Sequence, residues 1–153
     1  MSEHRATISW NRDEVDFTYE SYSRDHTGTF AGGVEVPASA APDFLGTPSL
    51  VDPEEAFVAS VSSCHMLTFL ALAARRRFVV DAYQDSATGF MEENADGKLS
   101  IKRIVLDPRI SFGGSKTPSP EELERLHEKA HAHCFIANSV RTSIVMAGSA
   151  ESG

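Results

Sequence analysis

The sequence predicts an α+β fold, with strands before, between and after two helices. Three observations support this prediction: alternating apolar residues near the N-terminus, a long uncharged helix, and two further strand-like runs followed by a second capped helix. The length of 153 residues is that of one ordinary domain. We therefore expect a single domain over residues 1–153, with a frayed tail at 148–153.

The charge balance narrows the classes of partner. With 14 basic and 22 acidic side chains, the net charge of −8 disfavours binding to nucleic acid or to an anionic membrane. The N-terminus lacks the basic-then-apolar pattern of a secretory signal, so we expect a cytoplasmic protein. In a reducing compartment, two cysteines indicate a redox, catalytic, ligand or buried role rather than a structural disulfide.

The central helix carries its own start and stop signals. Asp52 fits the N-cap, Pro53 the first helical position, and Glu55 the return bond of a capping box. No Gly or Pro interrupts the helix before Arg75–Arg77, which predicts roughly 23 residues, or about 35 Å. Residues 56–74 carry no formal charge, so we expect burial on most sides. Such a length could span a bilayer, but interspersed Ser, His and Thr favour a soluble core helix.

Before this helix, the pattern predicts an antiparallel hairpin. Residues 4–10 alternate, residues 11–13 form a turn, and residues 15–22 alternate again. A short strand is expected at Val34–Val36. Residues 37–51 are interrupted by Pro and Gly, which predicts an irregular connection.

After the helix, residues 78–91 and 99–112 have strand composition, and residues 94–97 have the chemistry of a hairpin turn. The alternation changes phase between Ile101 and Ile104, so we expect a bulge or an edge position.

A second helix begins at the capping box Ser119–Glu122. Its inner stripe recurs every three or four residues and comprises Leu123, Leu126, Ala130 and Cys134. A last strand is expected at residues 142–147.

Cys64 lies in the middle of the central helix, where the helix dipole gives little help. An unassisted thiol has a pKa near 8.5, and a working nucleophile needs this lowered by roughly 2–3 pH units. A nearby guanidinium could supply that. Arg24 is the better candidate, because Arg75–Arg77 lie more than about 16 Å along the helix axis.

Cys64 and Cys134 are 70 residues apart, and both are predicted to face inward on separate helices. The sequence leaves their proximity open. If they meet, one sulfur can be oxidised to sulfenic acid and the other can resolve it as a disulfide. Inert burial of both thiols is the alternative, since free Cys is among the most buried residue types.

The second helix also contains an H-E-x-x-H match at His127–His131. Its two imidazoles share one helical face, as in zinc metalloproteases, and Cys134 could be a third ligand. An exposed, charged helix face can match the same short pattern by chance. A zinc-binding protein or hydrolase that uses His127, His131 and Cys134 is therefore an alternative.

Two stretches together resemble a known family. Asp52-Pro53-Glu54-Glu55 followed by Ser63-Cys64-His65, and the later stretch His131–Ser139, are similar to the OsmC/Ohr family of bacterial thiol-dependent peroxidases. The similarity covers roughly residues 15–147. The resemblance implies an OsmC-like fold, with antiparallel sheets wrapped around a long central helix in an intertwined homodimer.

The resemblance also implies roles for individual residues. Cys64 would be the peroxidatic cysteine, Cys134 the resolving cysteine, Arg24 the candidate for the activating arginine, and Glu54 the glutamate that orients it. Organic hydroperoxides would be reduced to alcohols, and an external dithiol reductant of the lipoyl or thioredoxin type would reopen the disulfide. No cofactor and no metal are expected. A non-catalytic OsmC-like small-molecule binder with passive thiols is a further alternative.

The helix geometry constrains such a site. Glu54 and Cys64 are about 15 Å apart along one helix axis, too far for one Arg24 side chain to contact both. We therefore expect the site to be assembled across a dimer interface, or the helix to be broken near its start.

Overall fold

The structure is a computed structural model that describes residues 1–13 and 16–148. The chain divides into two compact units, Met1–Ala56 and Phe57–Gly153. The expected α+β composition is confirmed, since each unit contains β-sheet and the second also contains most of the helical residues.

The N-terminal unit contains a three-stranded antiparallel sheet. Its strands, in spatial order, are β1 (Ala6–Ser9), β2 (His26–Phe30) and β3 (Glu35–Ala38). The strand expected at Val34–Val36 is therefore present within two residues as β3. The following connection carries a 3-10 helix at Pro42–Phe44 and is otherwise mostly irregular, as expected.

The expected first hairpin is wrong, because β1 pairs with β2 and not with the described residues 16–22. Val15 lies outside the described residues. Trp10 packs against Phe17 with ring centroids 5.8 Å apart, and Phe17 packs against Tyr22 at 5.2 Å. The Trp10 Nε1–H also donates to the Ser23 carbonyl at 2.7 Å. The apolar alternation in this segment therefore reflects aromatic packing of a loop rather than a strand.

The central helix α1 spans Pro53–Arg75 without a break. Its capping box is confirmed: the Glu55 backbone N–H donates to Asp52 Oδ1 at 2.7 Å, and the Asp52 N–H donates to Glu55 Oε2 at 3.2 Å. The alternative of a helix broken near its start is therefore wrong.

Burial of α1 on most sides is also wrong for the single chain. Only one face is buried, and it carries Val61, His65, Phe69 and Ala73. A second, uncharged face is exposed at Ser60, Ser63, Leu67, Ala71 and Ala74. By length and mean hydropathy, 1.7, α1 could cross a membrane, a criterion that core helices of soluble proteins also meet.

Up to residue 148, the C-terminal unit holds five strands and a second α-helix. These are β4 (Val79–Asp85), β5 (Thr88–Glu93), β6 (Leu99–Leu106), β7 (Pro108–Gly113), α2 (Pro120–His133) and β8 (Ser143–Met146). Strands β4 and β7 form one antiparallel pair; β5 and β6 form another, and β8 adds to β6 in parallel. Each of the two long strand-like runs is thus divided in two. Of the expected frayed tail, residues 149–153 lie outside the described residues.

The β5–β6 hairpin confirms the expected turn and bulge. Asn94 Oδ1 accepts hydrogen bonds from the backbone N–H groups of Asp96 and Lys98, and Gly97 has a φ of 70°, which glycine adopts without strain. Phe90 pairs with Arg103 and the next residue, Met91, pairs with Ile101. Lys102 is therefore the extra residue of a bulge, at the point where the alternation changes phase.

The two helices meet in a shared apolar cluster. The α2 capping box is confirmed, because the Glu122 N–H donates to Ser119 Oγ at 3.1 Å and the Ser119 N–H to Glu122 Oε2 at 2.9 Å. The shared cluster comprises Phe69 and Ala73 of α1, Phe78, and Leu126 and Ala130 of α2. A second cluster, Val61, Ile104 and Leu106, joins α1 to β6.

Candidate functional site: a buried pair of thiols

The two cysteines meet in the C-terminal unit. Cys64 lies on α1 and is half-buried, whereas Cys134 caps the C-terminus of α2 and is 1% exposed. The Cys64 side chain lies close enough to that of Cys134 to raise its pKa, and both are free thiols. The packing of α2 against α1 thus creates the proximity that the sequence left open.

The backbone after α2 holds Cys134 in place. Asn138 Nδ2 donates to the carbonyls of Ala132 at 3.0 Å and of Cys134 at 3.1 Å, and the Asn138 N–H donates to the same Cys134 carbonyl at 3.0 Å. The Ala137 N–H donates to the sulfur of Cys134 at 3.4 Å. These bonds tie the thiol to a turn of backbone that follows the helix.

The two thiols are not equivalent. Burial raises the pKa of Cys134, and the hydrogen bond to Cys64 and the negative charge of a Cys64 thiolate act in the same direction. The backbone N–H groups of Ala137 and Ile136 oppose this effect. Cys134 is therefore the thiol that keeps its proton, and Cys64, which is more exposed, is the one suited to act as the nucleophile.

Arg24 and Glu54 both lie in the N-terminal unit. The guanidinium of Arg24 donates to the carbonyls of Tyr22 and Tyr19, each at 2.6 Å, and lies 3.7 Å from the centroid of the Tyr22 ring. Glu54 occupies the first turn of α1, and among the described residues it forms no ion pair with Arg24. The structure thus pairs the two cysteines, but it does not pair the predicted arginine with the predicted glutamate.

An open, largely apolar cleft surrounds Arg24. Its volume is about 360 Å³, and its lining residues within the N-terminal unit are Trp10, Phe17, Tyr22, Ser23, Arg24, His26, Ser39, Ala40 and Pro53. One cation therefore lies among aromatic side chains, an arrangement suited to a small organic molecule with a polar end.

Asp25 anchors the backbone beside Arg24. Its Oδ1 accepts hydrogen bonds from Ser39 Oγ at 2.8 Å and from Thr47 Oγ1 at 2.7 Å, and these bonds lower the pKa of its carboxyl group. Ser39 is fully buried. Sequence reasoning missed this contact, since the three residues are joined only by the tertiary fold.

Two histidines, of which His65 is buried and His127 partly buried, form a pair next to the thiols. His65, 1% exposed, places Nε2 at 3.0 Å from Nδ1 of His127. Burial lowers the pKa of His65 to about 4, and the charges of His127 and His131 act in the same direction. Burial also lowers the pKa of His127, against the opposing effect of Asp85. Both imidazoles are therefore neutral at neutral pH.

The zinc alternative is wrong. The described residues hold no group of three or more His, Cys, Asp or Glu side chains that could bind a metal ion. Nδ1 of His127 faces His65, and the Cys134 thiol faces Cys64. The H-E-x-x-H match therefore places one histidine in a partly buried hydrogen bond rather than two in a metal site. The sequence feature that could have identified His65 as a buried, functional residue is its place within an otherwise uncharged helix.

The fold and the thiol pair define a class of small α+β proteins that carry two apposed cysteines on helices. The sequence profile described as OsmC-like protein matches residues 46–147, more than half of the chain. The chain belongs to the OsmC-like family. No curated protein matches the sequence.

Solved structures confirm the OsmC-like fold. An OsmC-like protein of unknown function from Vibrio cholerae is 47% identical, with a TM-score of 0.92 over 95% of this chain and 98% of that chain. An organic hydroperoxide resistance protein OsmC from Legionella pneumophila is 14% identical, with a TM-score of 0.70 over 95% and 97%. An organic hydroperoxide resistance protein from Elizabethkingia anophelis is 17% identical, with a TM-score of 0.71 over 95% of this chain and 96% of that chain. At these lower identities the likeness is one of fold.

Proposed function

We propose that the protein is a thiol-dependent peroxidase that reduces organic hydroperoxides to alcohols. The observation that carries the proposal is the proximity of two free thiols, Cys64 and Cys134, on neighbouring helices. Membership of the OsmC-like family and the fold shared with hydroperoxide resistance proteins support a role in redox stress.

The first step oxidises Cys64. Its thiolate attacks the terminal oxygen of R–O–OH, the O–O bond breaks, and sulfur takes up the hydroxyl group as sulfenic acid. The alkoxide that leaves takes a proton and departs as the alcohol R–OH. The peroxide gains the two electrons that the sulfur loses.

The second step forms the disulfide. Cys134 loses its proton and attacks the sulfur of the Cys64 sulfenic acid, and the hydroxide leaves with that proton as water. The raised pKa of Cys134 supports this division of roles, because a protonated thiol does not compete for peroxide. An external dithiol then reduces the disulfide through a mixed disulfide and is itself oxidised to a disulfide. This reductant and the cytoplasmic setting are part of the proposal.

In this proposal, Arg24 stabilises the Cys64 thiolate and Glu54 orients Arg24 in a homodimer. Two observations support the dimer. Glu54 and Cys64 are about 15 Å apart along an unbroken helix. The exposed face of α1 is uncharged and repeats every three or four residues, Ser60, Ser63, Leu67, Ala71 and Ala74, as a helix face covered by a second copy would.

The aromatic cleft around Arg24 supports the choice of substrate. We assign it to the organic tail of the hydroperoxide, since each buried methylene contributes about 0.8 kcal/mol. Hydrogen peroxide has no tail to bury. Organic hydroperoxides should therefore react with a lower KM than hydrogen peroxide does.

The decisive experiment follows cumene hydroperoxide and hydrogen peroxide consumption with dihydrolipoamide as reductant. Mass spectrometry of the oxidised protein should show a Cys64–Cys134 disulfide formed within the chain. Cys64→Ser should abolish peroxide consumption. Equal activity in Cys64→Ser, or oxidation without this disulfide, would refute the peroxidase.

A further inference from the structure

We propose that the hydrogen bond between His65 and His127 is a positioning contact that sets α2 in register with α1 and so holds the Cys134 thiol against Cys64. The inference deepens the proposed function, because it assigns positioning residues to the resolving step. It rests on that function for its biological meaning, although its test uses no peroxide.

Three sets of contacts join α1 and α2. The first is the approach of the Cys64 and Cys134 thiols. The second is the hydrogen bond between the next residue of α1, His65, and His127, which lies two turns before Cys134 on α2. The third is the apolar cluster that includes Phe69 and Leu126. The imidazole contact thus adjoins Cys64 through its chain neighbour His65 and the apolar cluster through the stacking of His127 on Phe69.

A hydrogen bond constrains the register more sharply than apolar contacts do. Apolar side chains tolerate a small slide, whereas Nε2 and Nδ1 must remain about 3 Å apart and aligned. His127 also stacks on Phe69, with ring centroids 4.6 Å apart, which fixes the plane of its ring. Sliding α2 along α1 would therefore break a directional contact next to the thiols.

Among the described residues, the His65 side chain is hydrogen-bonded to His127 alone. Its Nδ1 is buried and has no partner among the described residues. Because a buried N–H without an acceptor is rarer than a buried unpaired acceptor, we assign the proton of His65 to Nε2, which donates to Nδ1 of His127. If the bond broke, both ring nitrogens of a residue that is 1% exposed would be unpaired.

Burial keeps the pair neutral. His131 on α2 and Asp85 on β4 act on the pair with opposite signs. Asp85 is itself held by the Ser62 hydroxyl and by the backbone N–H of Asp107. Burial outweighs the carboxylate and lowers the pKa of both imidazoles. At neutral pH a single N–H therefore joins two uncharged rings.

The test compares His127→Asn with His127→Leu in glutathione redox buffers. Asn Oδ1 can replace Nδ1 as the acceptor, whereas Leu removes the hydrogen bond and keeps the bulk. In this reaction, one oxidised glutathione converts the protein dithiol to the disulfide and yields two reduced glutathiones. Its equilibrium constant gives the effective concentration of the Cys134 thiol at Cys64. We expect at least a ten-fold lower value for His127→Leu and a value within about three-fold of the native protein for His127→Asn.

His133→Leu is the matched control, because this histidine on the same helix is exposed and, among the described residues, its ring is hydrogen-bonded to the Lys129 carbonyl alone. Its effective concentration should be unchanged. If His127 had only a structural role, the His127→Leu substitution would lower the urea midpoint but leave the effective concentration of the thiols in the folded protein unchanged. That result would overturn the proposal. If His127→Leu fails to fold, ¹⁵N NMR of the native protein tests the hydrogen bond directly. An unprotonated His65 Nε2 beside a protonated His127 Nδ1 would refute the assigned donor. Protonation of both nitrogens would refute the hydrogen bond itself.

Discussion

The thiol of Cys134 lies beside the thiol of Cys64, and burial together with this neighbour raises the pKa of Cys134. One sulfur is thus kept as a protonated partner beside another that is half-exposed. In the proposed reaction, this difference separates the sulfur that reacts first from the sulfur that closes the disulfide.

Replacing Cys134 by Ser should separate the two steps of the reaction. Cys64 should still reduce one equivalent of hydroperoxide, because the nucleophile is intact, but its sulfenic acid should persist. Steady-state turnover with a dithiol should fall by roughly 100-fold or more. Trapping with dimedone followed by mass spectrometry measures the sulfenic acid, and failure to trap it at Cys64 in this variant would contradict the assigned order.

Replacing Arg24 by Met should slow the reaction of Cys64 with cumene hydroperoxide by roughly 100-fold, because the thiolate would lose its counter-charge. Stopped-flow measurement of the first oxidation gives the rate. Arg12→Met is the control, since Arg12 is an exposed arginine of the same unit. An Arg24→Met variant as fast as Arg12→Met would remove Arg24 from the site.

The buried histidine predicts a dependence of stability on pH. The pKa of His65 is about 4 in the folded protein and about 6.5 in an unfolded chain. The unfolded state therefore binds the proton first, so the stabilisation is complete above about pH 6.5 and is lost as the pH falls towards 4. The change should reach roughly 3 kcal/mol. Urea unfolding at a series of pH values measures this change in the free energy of unfolding. The His65→Gln variant should show a pH dependence that is weaker by this amount. An equal pH dependence in the two proteins would refute the prediction.

Replacing Leu67 by Glu should prevent dimer formation, because the exposed face of α1 would bury a charge against the second copy. Val34→Glu is a matched control, since both side chains are 61% exposed and Val34 lies outside this face. Sedimentation should find a dimer for the native protein and for Val34→Glu, and a monomer for Leu67→Glu. A native protein that sediments as a monomer would contradict the dimer.

Local chemistry made much of the fold predictable. The bounds of α1 followed from Asp52, Pro53 and Glu55, and the start of α2 from Ser119 and Glu122, since caps form between residues three apart. The β5–β6 turn followed from Asn94 to Gly97 for the same reason. The resemblance to the family was also readable in the residues around Cys64 and Cys134.

The sequence by itself therefore determined the helices, the turn, the α+β class and the family. Only the tertiary structure decided that β1 pairs with β2, that Cys64 meets Cys134, and that His127 binds His65 rather than a metal. The physical reason is how far apart the contacting residues lie along the chain. Caps and turns are short-range hydrogen bonds, whereas these contacts join residues far apart in the chain and depend on how α2 packs on α1 and which strand lies beside β1.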